Sequence, residues 1–222
     1  QILTGTLPGK QSWNFWGLTQ TGNNIPNPEN PADQTENVTG TWINVLSSVN
    51  IMLNRSGLAY KELLQLLDMQ YVNPDGSIYI FDTADPNAAN CDTSMFTIRN
   101  LTEDALNRTQ RFIRLWRKLG CAMWELDMLL TDTNPDPNII DKRITDAVLQ
   151  NISRMNRMRT QFALDWHVVH SLYNSIDHNI YVDRNEDGAP AVQTLYQRLF
   201  RNKLVDAVAS FPPSPNQITG TI

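Results

Sequence analysis

The chain has 222 residues, enough for one large domain or two small ones, and 41% of them are hydrophobic, which supplies a core. Only 18% are charged, below the ~25% usual in soluble domains, and Asn, Thr, Gln and Ser fill the difference. The net charge of −5 disfavours a general nucleic-acid role, and no apolar run reaches the ~18–20 residues of a membrane span.

Residues 1–40 read as a loop-like arm, rich in Gly, Asn, Thr and Pro, with Pro26, Pro28 and Pro31 close together. Trp13, Phe15 and Trp16 interrupt its polarity and are expected to anchor the arm through their large apolar area. From Trp42 to Leu53 the apolar residues Trp42, Val45, Leu46, Val49 and Leu53 recur at three- and four-residue steps, which predicts a helix. Gly57 stops it in the left-handed conformation. A second helix is expected from Tyr60 to about Gln70, with Leu63, Leu66 and Leu67 inward. Asn73-Pro74-Asp75-Gly76 is a turn. Ile78–Phe81 is β-prone, with Ile180–Val182 a second candidate strand, and residues 82–100 read as a loop.

The longest helix starts after Thr102, an N-cap residue, with Leu101 and Leu106 at the spacing of a hydrophobic staple. Ala105, Phe112, Leu115, Trp116 and Leu119 share one side; Arg111, Arg114, Arg117 and Lys118 project from the other. Gly120 ends it. Further helices are predicted from Met123 to Leu130, from Ile139 to Phe162, after Leu164 (Trp166, Val169, Leu172, Tyr173) and from Ala191 to Val208. Residues 179–190 form a polar loop. Leu63, Leu66, Phe112, Trp116, Leu126 and Leu199 are expected to be buried.

One joint recurs. Gly57-Leu58-Ala59-Tyr60-Lys61-Glu62-Leu63 aligns with Gly120-Cys121-Ala122-Met123-Trp124-Glu125-Leu126 at an offset of 63 residues. Each unit is helix, tight joint, amphipathic helix. A Glu at the third helical position favours the exposed N–H groups and the positive dipole end. A fainter copy is Ala163-Leu164-Asp165-Trp166, in which Asp165 takes the N-cap slot. Stacked helical hairpins follow, because one hairpin cannot bury its apolar face alone.

Motifs that carry chemistry are sparse. His167 and His170 are three apart on a predicted helix, but no Cys or carboxylate at matching spacing completes a zinc site. They and His178 read as surface or partly buried histidines. Asp183-Arg184-Asn185-Glu186-Asp187-Gly188 copies the first half of an EF-hand loop, yet the twelfth position is Thr194 rather than Glu and Pro190 intrudes. An exposed polar turn is the better account. The basic face of Arg111, Arg114, Arg117 and Lys118 reads as a solvated face or one that pairs with a neighbouring helix. None of the five N-x-S/T sequons (Asn37, Asn54, Asn100, Asn107, Asn151) is read as a glycan site. Two cysteines, Cys91 and Cys121, make no disulfide framework and are expected to be free thiols. No cofactor, metal or catalytic residue is assigned.

Four ordered blocks resemble Tc toxin A subunits. The first is Gly57-Leu58-Ala59-Tyr60-Lys61-Glu62-Leu63-Leu64-Gln65-Leu66-Leu67 with Tyr71-Val72-Asn73-Pro74. Cys91-Asp92 leading to Ile98-Arg99-Asn100-Leu101 is the second. Arg111-Phe112-Ile113-Arg114-Leu115-Trp116-Arg117-Lys118-Leu119-Gly120 with Glu125-Leu126-Asp127 is the third, and Leu195-Tyr196-Gln197-Arg198-Leu199-Phe200-Arg201-Asn202-Lys203 the last. Together they cover about residues 42–211, and part is similar to the virulence-plasmid A proteins. Ala59 and Ala122 depart from the family pattern, which has Ser or Thr there and so two further N-caps.

The resemblance implies a segment of a large secreted, pore-forming insecticidal toxin that assembles as a pentamer, binds the host cell surface and delivers an enzyme held by partner subunits B and C. The matching region would be part of the α-helical outer shell, not an enzyme. The expected fold is mainly α: stacked helical hairpins with long loops and at most a small β element. The expected divisions are an arm at 1–40, a helical-hairpin domain at 41–211 and a Pro-rich tail at 212–222. The chain opens on Gln1 without a visible signal peptide, and both ends are expected to be cuts within a longer protein. Two alternatives stay open. One is a free-standing receptor- or glycan-binding module using Trp13, Phe15 and Trp16. The other is a hydrolase using Asp183, Asp187 or the histidines.

Overall fold

The computed structural model describes residues 11–82, 93–132, 144–184 and 186–201. The fold is mainly α, and the chain divides into two units, residues 1–120 and 121–222. Among the described residues no helix is long and apolar enough to cross a membrane.

In the first unit, β1 (Asn23–Ile25) pairs antiparallel with β2 (Val38–Gly40), so the arm is not all loop. The buried Asn23 closes this hairpin by donating to the carbonyls of Thr19 at 2.7 Å and Gly40 at 3.1 Å. The aromatic anchor forms as expected. Trp16 is buried, Trp13 lies 6.4 Å from Trp42, and the Arg114 guanidinium sits 5.7 Å from the Phe15 ring.

The helix expected over 42–53 is broken in two, α1 (Trp42–Leu46) and α2 (Val49–Ser56). The break lies at Ser47 and Ser48, because the chain there pairs with a passing strand. The Ser47 carbonyl accepts from Ile98 N–H at 2.7 Å, and Ser48 bridges Thr97. After α3 (Tyr60–Asp68), Asn73 organises the turn. Its amide donates to the carbonyls of Leu67 and Ile78 and its oxygen accepts from Ile78 N–H at 3.1 Å. Then β3 (Tyr79–Asp82) pairs with β4 (Phe96–Arg99), a strand inside the stretch read as loop.

α4 (Glu103–Leu119) begins at Thr102, whose hydroxyl accepts from Ala105 N–H at 3.1 Å, and ends at Gly120 with φ +62°. Its buried face is Ala105, Leu106, Thr109, Phe112, Ile113 and Leu115. That stripe is rotated from the expected one towards Ile113, so Trp116 is only half-buried, against expectation.

The second unit holds α5 (Met123–Asp132), α6 (Asp146–Phe162), α7 (Trp166–Ser171), the hairpin β5 (Tyr181–Val182) with β6 (Ala191–Val192), and α8 (Leu195–Phe200). Met123, Leu126, Leu129, Ile152, Met155 and Trp166 are among its buried side chains. α7 stops before Leu172 and Tyr173, which are exposed rather than inward. The helix expected from Ala191 begins only at Leu195, since Ala191 and Val192 are spent on β6. Leu199, expected in the core, is 50% exposed. Residues 202–211, with Leu204 and Val208, the tail 212–222, Ile139 and Cys91 lie outside the described residues.

The recurring joint has one local geometry at all three places. Gly57, Gly120 and Ala163 have φ, ψ of 64°, 31°; 62°, 32°; and 53°, 43°. Each N–H returns to the carbonyl four residues back, Leu53, Trp116 and Arg159. Glu62 Oε2 accepts from Ala59 N–H and Glu125 Oε2 from Ala122 N–H, both at 2.8 Å. This is the carboxylate half of a capping box, and it serves helices whose N-cap alanines have no acceptor of their own. Asp165 stands in the N-cap position of α7, but its side chain makes no cap bond.

Candidate functional site

The second unit gathers the described residues with the most chemical capacity. α7 begins after Ala163, which ends α6 in a left-handed turn, and its short span buries two of the three histidines, His167 and His170. His167 is 4% exposed and His170 is fully buried, deeper than the surface or partly buried setting expected; His178 is exposed. His167 Nδ1 lies 3.4 Å from Asp177 Oδ2, an ion-pair distance without hydrogen-bond alignment. Asp177 is itself buried. Its Oδ1 accepts from Asn179 N–H at 3.0 Å, and its carbonyl accepts from Tyr196 N–H at 3.3 Å. The backbone carbonyl of Asp177 therefore ties the segment after α7 to α8, while its carboxylate shapes the turn at Asn179. Trp124 covers the imidazole, its ring 4.9 Å away at 28°, and leans on Tyr181 at 5.8 Å.

Charge beside this cluster is costly. Burial pushes the Glu125 carboxyl above its ordinary value, opposed by the Ala122 N–H bond and by the positive character of His167 and Arg159. Burial also pushes the Cys121 thiol up to about 12, with the Glu125 charge acting in the same direction. The thiolate is the reactive form, so Cys121 is placed as a packing side chain. The Arg159 guanidinium lies 5.0 Å over the Trp166 ring.

The sequence missed Asp177 and Trp124. The only local signal for Asp177 was its Asp-x-Asn spacing to Asn179, which gives the turn it makes. Among the described residues no group of three or more His, Cys, Asp or Glu could hold a metal ion. Two clefts of this unit, of about 660 and 330 Å³, are lined by residues of α7, β6 and α8 with Ile180, Gln193 and Arg201, and neither by His167, His170 or Asp177.

The EF-hand-like stretch connects two strands rather than two helices. Asp183 N–H donates to the Pro190 carbonyl at 3.0 Å, which continues the β5–β6 hairpin. Thr194, at the position a calcium loop gives to Glu, is buried and caps α8 by accepting from Gln197 N–H at 3.1 Å. The basic face of α4 is drawn partly into packing in the first unit. Arg117 donates to the carbonyls of Ser56 at 2.8 Å and Gly57 at 2.9 Å, holding the C-terminus of α2, and Arg114 stacks on Phe15.

None of the family models, curated proteins or solved structures compared with the chain matches it.

Proposed function

We propose that the chain is a structural, non-catalytic α-helical segment of a Tc-type toxin A subunit, part of an outer shell built by stacking helical hairpins. The observation that carries this reading is the threefold use of one joint at Gly57, Gly120 and Ala163, with matching backbone angles and return hydrogen bonds. Units of this kind bury their apolar faces against neighbours, so repetition is itself a scaffold-building device. The four sequence blocks similar to that family add to it.

The chemistry of the second unit supports the same role. His167 and Asp177 are used to fasten α7 to the following segment beneath Trp124, a specificity device for packing. In a secreted pentameric parent, shell faces of this kind would support assembly and the delivery of a toxic enzyme from partner subunits.

The test is a toxicity and assembly assay on the parent toxin. Asp187→Ala, at an exposed position of the β5–β6 hairpin, and Asp183→Ala, half-buried at its edge, are expected to leave toxicity within about twofold, as changes away from the core cost little. Phe112→Ala is expected to impair folding and assembly. Loss of toxicity in either aspartate variant, or in His167→Gln shown to fold and assemble normally, would refute the scaffold reading.

A further inference from the structure

Residues 11–18 of the arm fold on themselves around the 3-10 turn Ser12–Trp16. Gln11 and Asn14 bond to each other at its start: Asn14 N–H donates to the Gln11 carbonyl at 3.0 Å, and Gln11 N–H to Asn14 Oδ1 at 2.9 Å. The turn closes at Gly17, φ +68°. There Gly17 N–H donates to the Asn14 carbonyl at 3.2 Å and Leu18 N–H to the Trp13 carbonyl at 3.1 Å, the paired bonds of a Schellman motif. Among the described residues, a single hydrogen bond joins this segment to the rest of the first unit, and side chains make it: Ser12 Oγ donates to Glu103 Oε1 at 2.8 Å on the surface.

Side chains seat the segment. Trp16 and Leu18 are buried, the Trp13 ring lies 6.4 Å from that of Trp42, and the Arg114 guanidinium stands 5.7 Å from Phe15. Arg55 reaches over Gly17, where an added Cβ would meet its Nη1 at 3.2 Å. α1, α2 and α4 thus build a slot filled by a Trp-x-Phe-Trp-x-Leu stretch of the same chain. From Thr19 onwards the attachment changes in kind. Thr19 N–H donates to Asn23 Oδ1 at 3.0 Å, and the Gln20 carbonyl accepts from Trp42 N–H at 3.3 Å, so backbone bonds take over. A segment pinned by side chains beside one pinned through its backbone marks a boundary of local opening, because the first can leave without breaking a ladder.

We propose that residues 11–18 are a releasable strap, which opens as one piece about Leu18 and Thr19 and is the ligand of the slot between α1, α2 and α4. The strap carries its own turn with it when it leaves, since its backbone bonds are internal. Release presents Trp13, Phe15 and Trp16 to solvent together. It also uncovers the Trp42 ring on the side that Trp13 faces and frees Arg114 from Phe15. Tethered at Thr19, the strap meets the slot at about millimolar effective concentration, so the seated form dominates and weak competitors are kept out. This device stands on the first unit alone and holds whether or not the chain is a shell segment.

The test uses the full chain. Hydrogen exchange read by mass spectrometry should show residues 11–18 exchanging at least about tenfold faster than the stretch around Phe112, because a local opening costs less than unfolding the unit. Phe15→Ser with Trp16→Ser in the chain unseats the strap and leaves the slot intact, with far-UV circular dichroism unchanged. A fluorescein-labelled peptide of residues 11–18 should then fill the slot with a Kd below about 1 mM by fluorescence anisotropy. The unaltered chain should bind that peptide at least about tenfold more weakly, since its own strap competes. A peptide carrying the same two substitutions should lose at least about tenfold as well, since its aromatic anchors are gone. Gly17→Ala, which strains a left-handed φ and pushes on Arg55, should speed exchange in residues 11–18 at least about threefold and leave α1 and α4 unchanged. Protection of residues 11–18 equal to that of α4, or loss of helical signal in the Phe15→Ser, Trp16→Ser chain, would make the segment part of the core and overturn the inference. Absent saturable binding of the peptide to that chain, or binding indifferent to the two aromatic rings, would overturn it as well.

Discussion

Phe112 is the most demanding test of the packing described for the first unit. It is fully buried, and its ring centroid stands 6.1 Å from that of Tyr71 at 28°. Phe112→Ala forfeits the transfer free energy of the ring, about 2–3 kcal/mol for a side chain so completely removed from water. A cavity term of about 24 cal/mol per Å³ of residual void follows, because neighbours on rigid helices collapse only in part; together these give about 3–5 kcal/mol. Loss of the aromatic pair places the expected value in the upper half of that range. With a urea slope of about 2 kcal/mol per M, the unfolding midpoint should fall by about 2 M without a change in slope. Far-UV circular dichroism in a urea series measures it. Trp116→Ala on the same helix should cost clearly less, since that indole is only half-buried. A midpoint shift under about 0.5 M for Phe112→Ala, or one smaller than that of Trp116→Ala, would mean that α4 faces the core in a different phase.

Ala163→Gly should stabilise the chain by about 0.5–1 kcal/mol. Ala163 holds φ +53° where the two sister joints have glycine, and relief of the Cβ penalty outweighs the added freedom of the unfolded chain; thermal unfolding reads it, and a loss of stability would contradict the shared joint geometry. Burial raises the pKa of Glu125 in the folded chain above its unfolded value, so the stability this group contributes is full below the unfolded value and is lost as pH rises through the folded one. Glu125→Gln keeps an acceptor for Ala122 N–H and removes the buried charge. The stability of the variant relative to the parent sequence should therefore grow as pH rises from the ordinary carboxylate value of 4.5, and a difference that shrinks over that range would reverse the reasoning.

Local devices were legible in the sequence. Thr102 caps α4, Gly57 and Gly120 take the left-handed conformation, and Glu62 and Glu125 reach back to the joints, because each depends on residues within a turn of itself. What escaped depends on partners distant in the chain. β1 and β2 are three residues each and β6 is two, too short to show alternation, and β4 exists through its pairing with β3 and its contact with Ser47. The break between α1 and α2 has the same cause: the apolar spacing runs straight through Ser47 and Ser48, and only the passing strand interrupts it. Leu199 carries a helical spacing that promised burial, but spacing says which face is apolar and not whether anything covers it. The pairing of His167 with Asp177 was invisible for a related reason, since it joins a helix to a loop that carries no metal or catalytic motif.

The bonds from Arg117 to the carbonyls of Ser56 and Gly57 have a kinetic consequence. They join residues about sixty positions apart, as Arg108 joins Val72 across thirty-six and Ser12 joins Glu103 across ninety-one. A mainly helical protein with only local contacts folds fast, but each of these links requires closure of a long loop before it returns any stability. On a ribosome, α2 and α3 would be synthesised well before the guanidinium that fastens their joint. At about 5–20 residues per second they would wait on the order of seconds with that joint unsecured. The first unit therefore completes itself only when the last turn of α4 has emerged, and a chain interrupted before Arg117 would hold helices without the link that binds them.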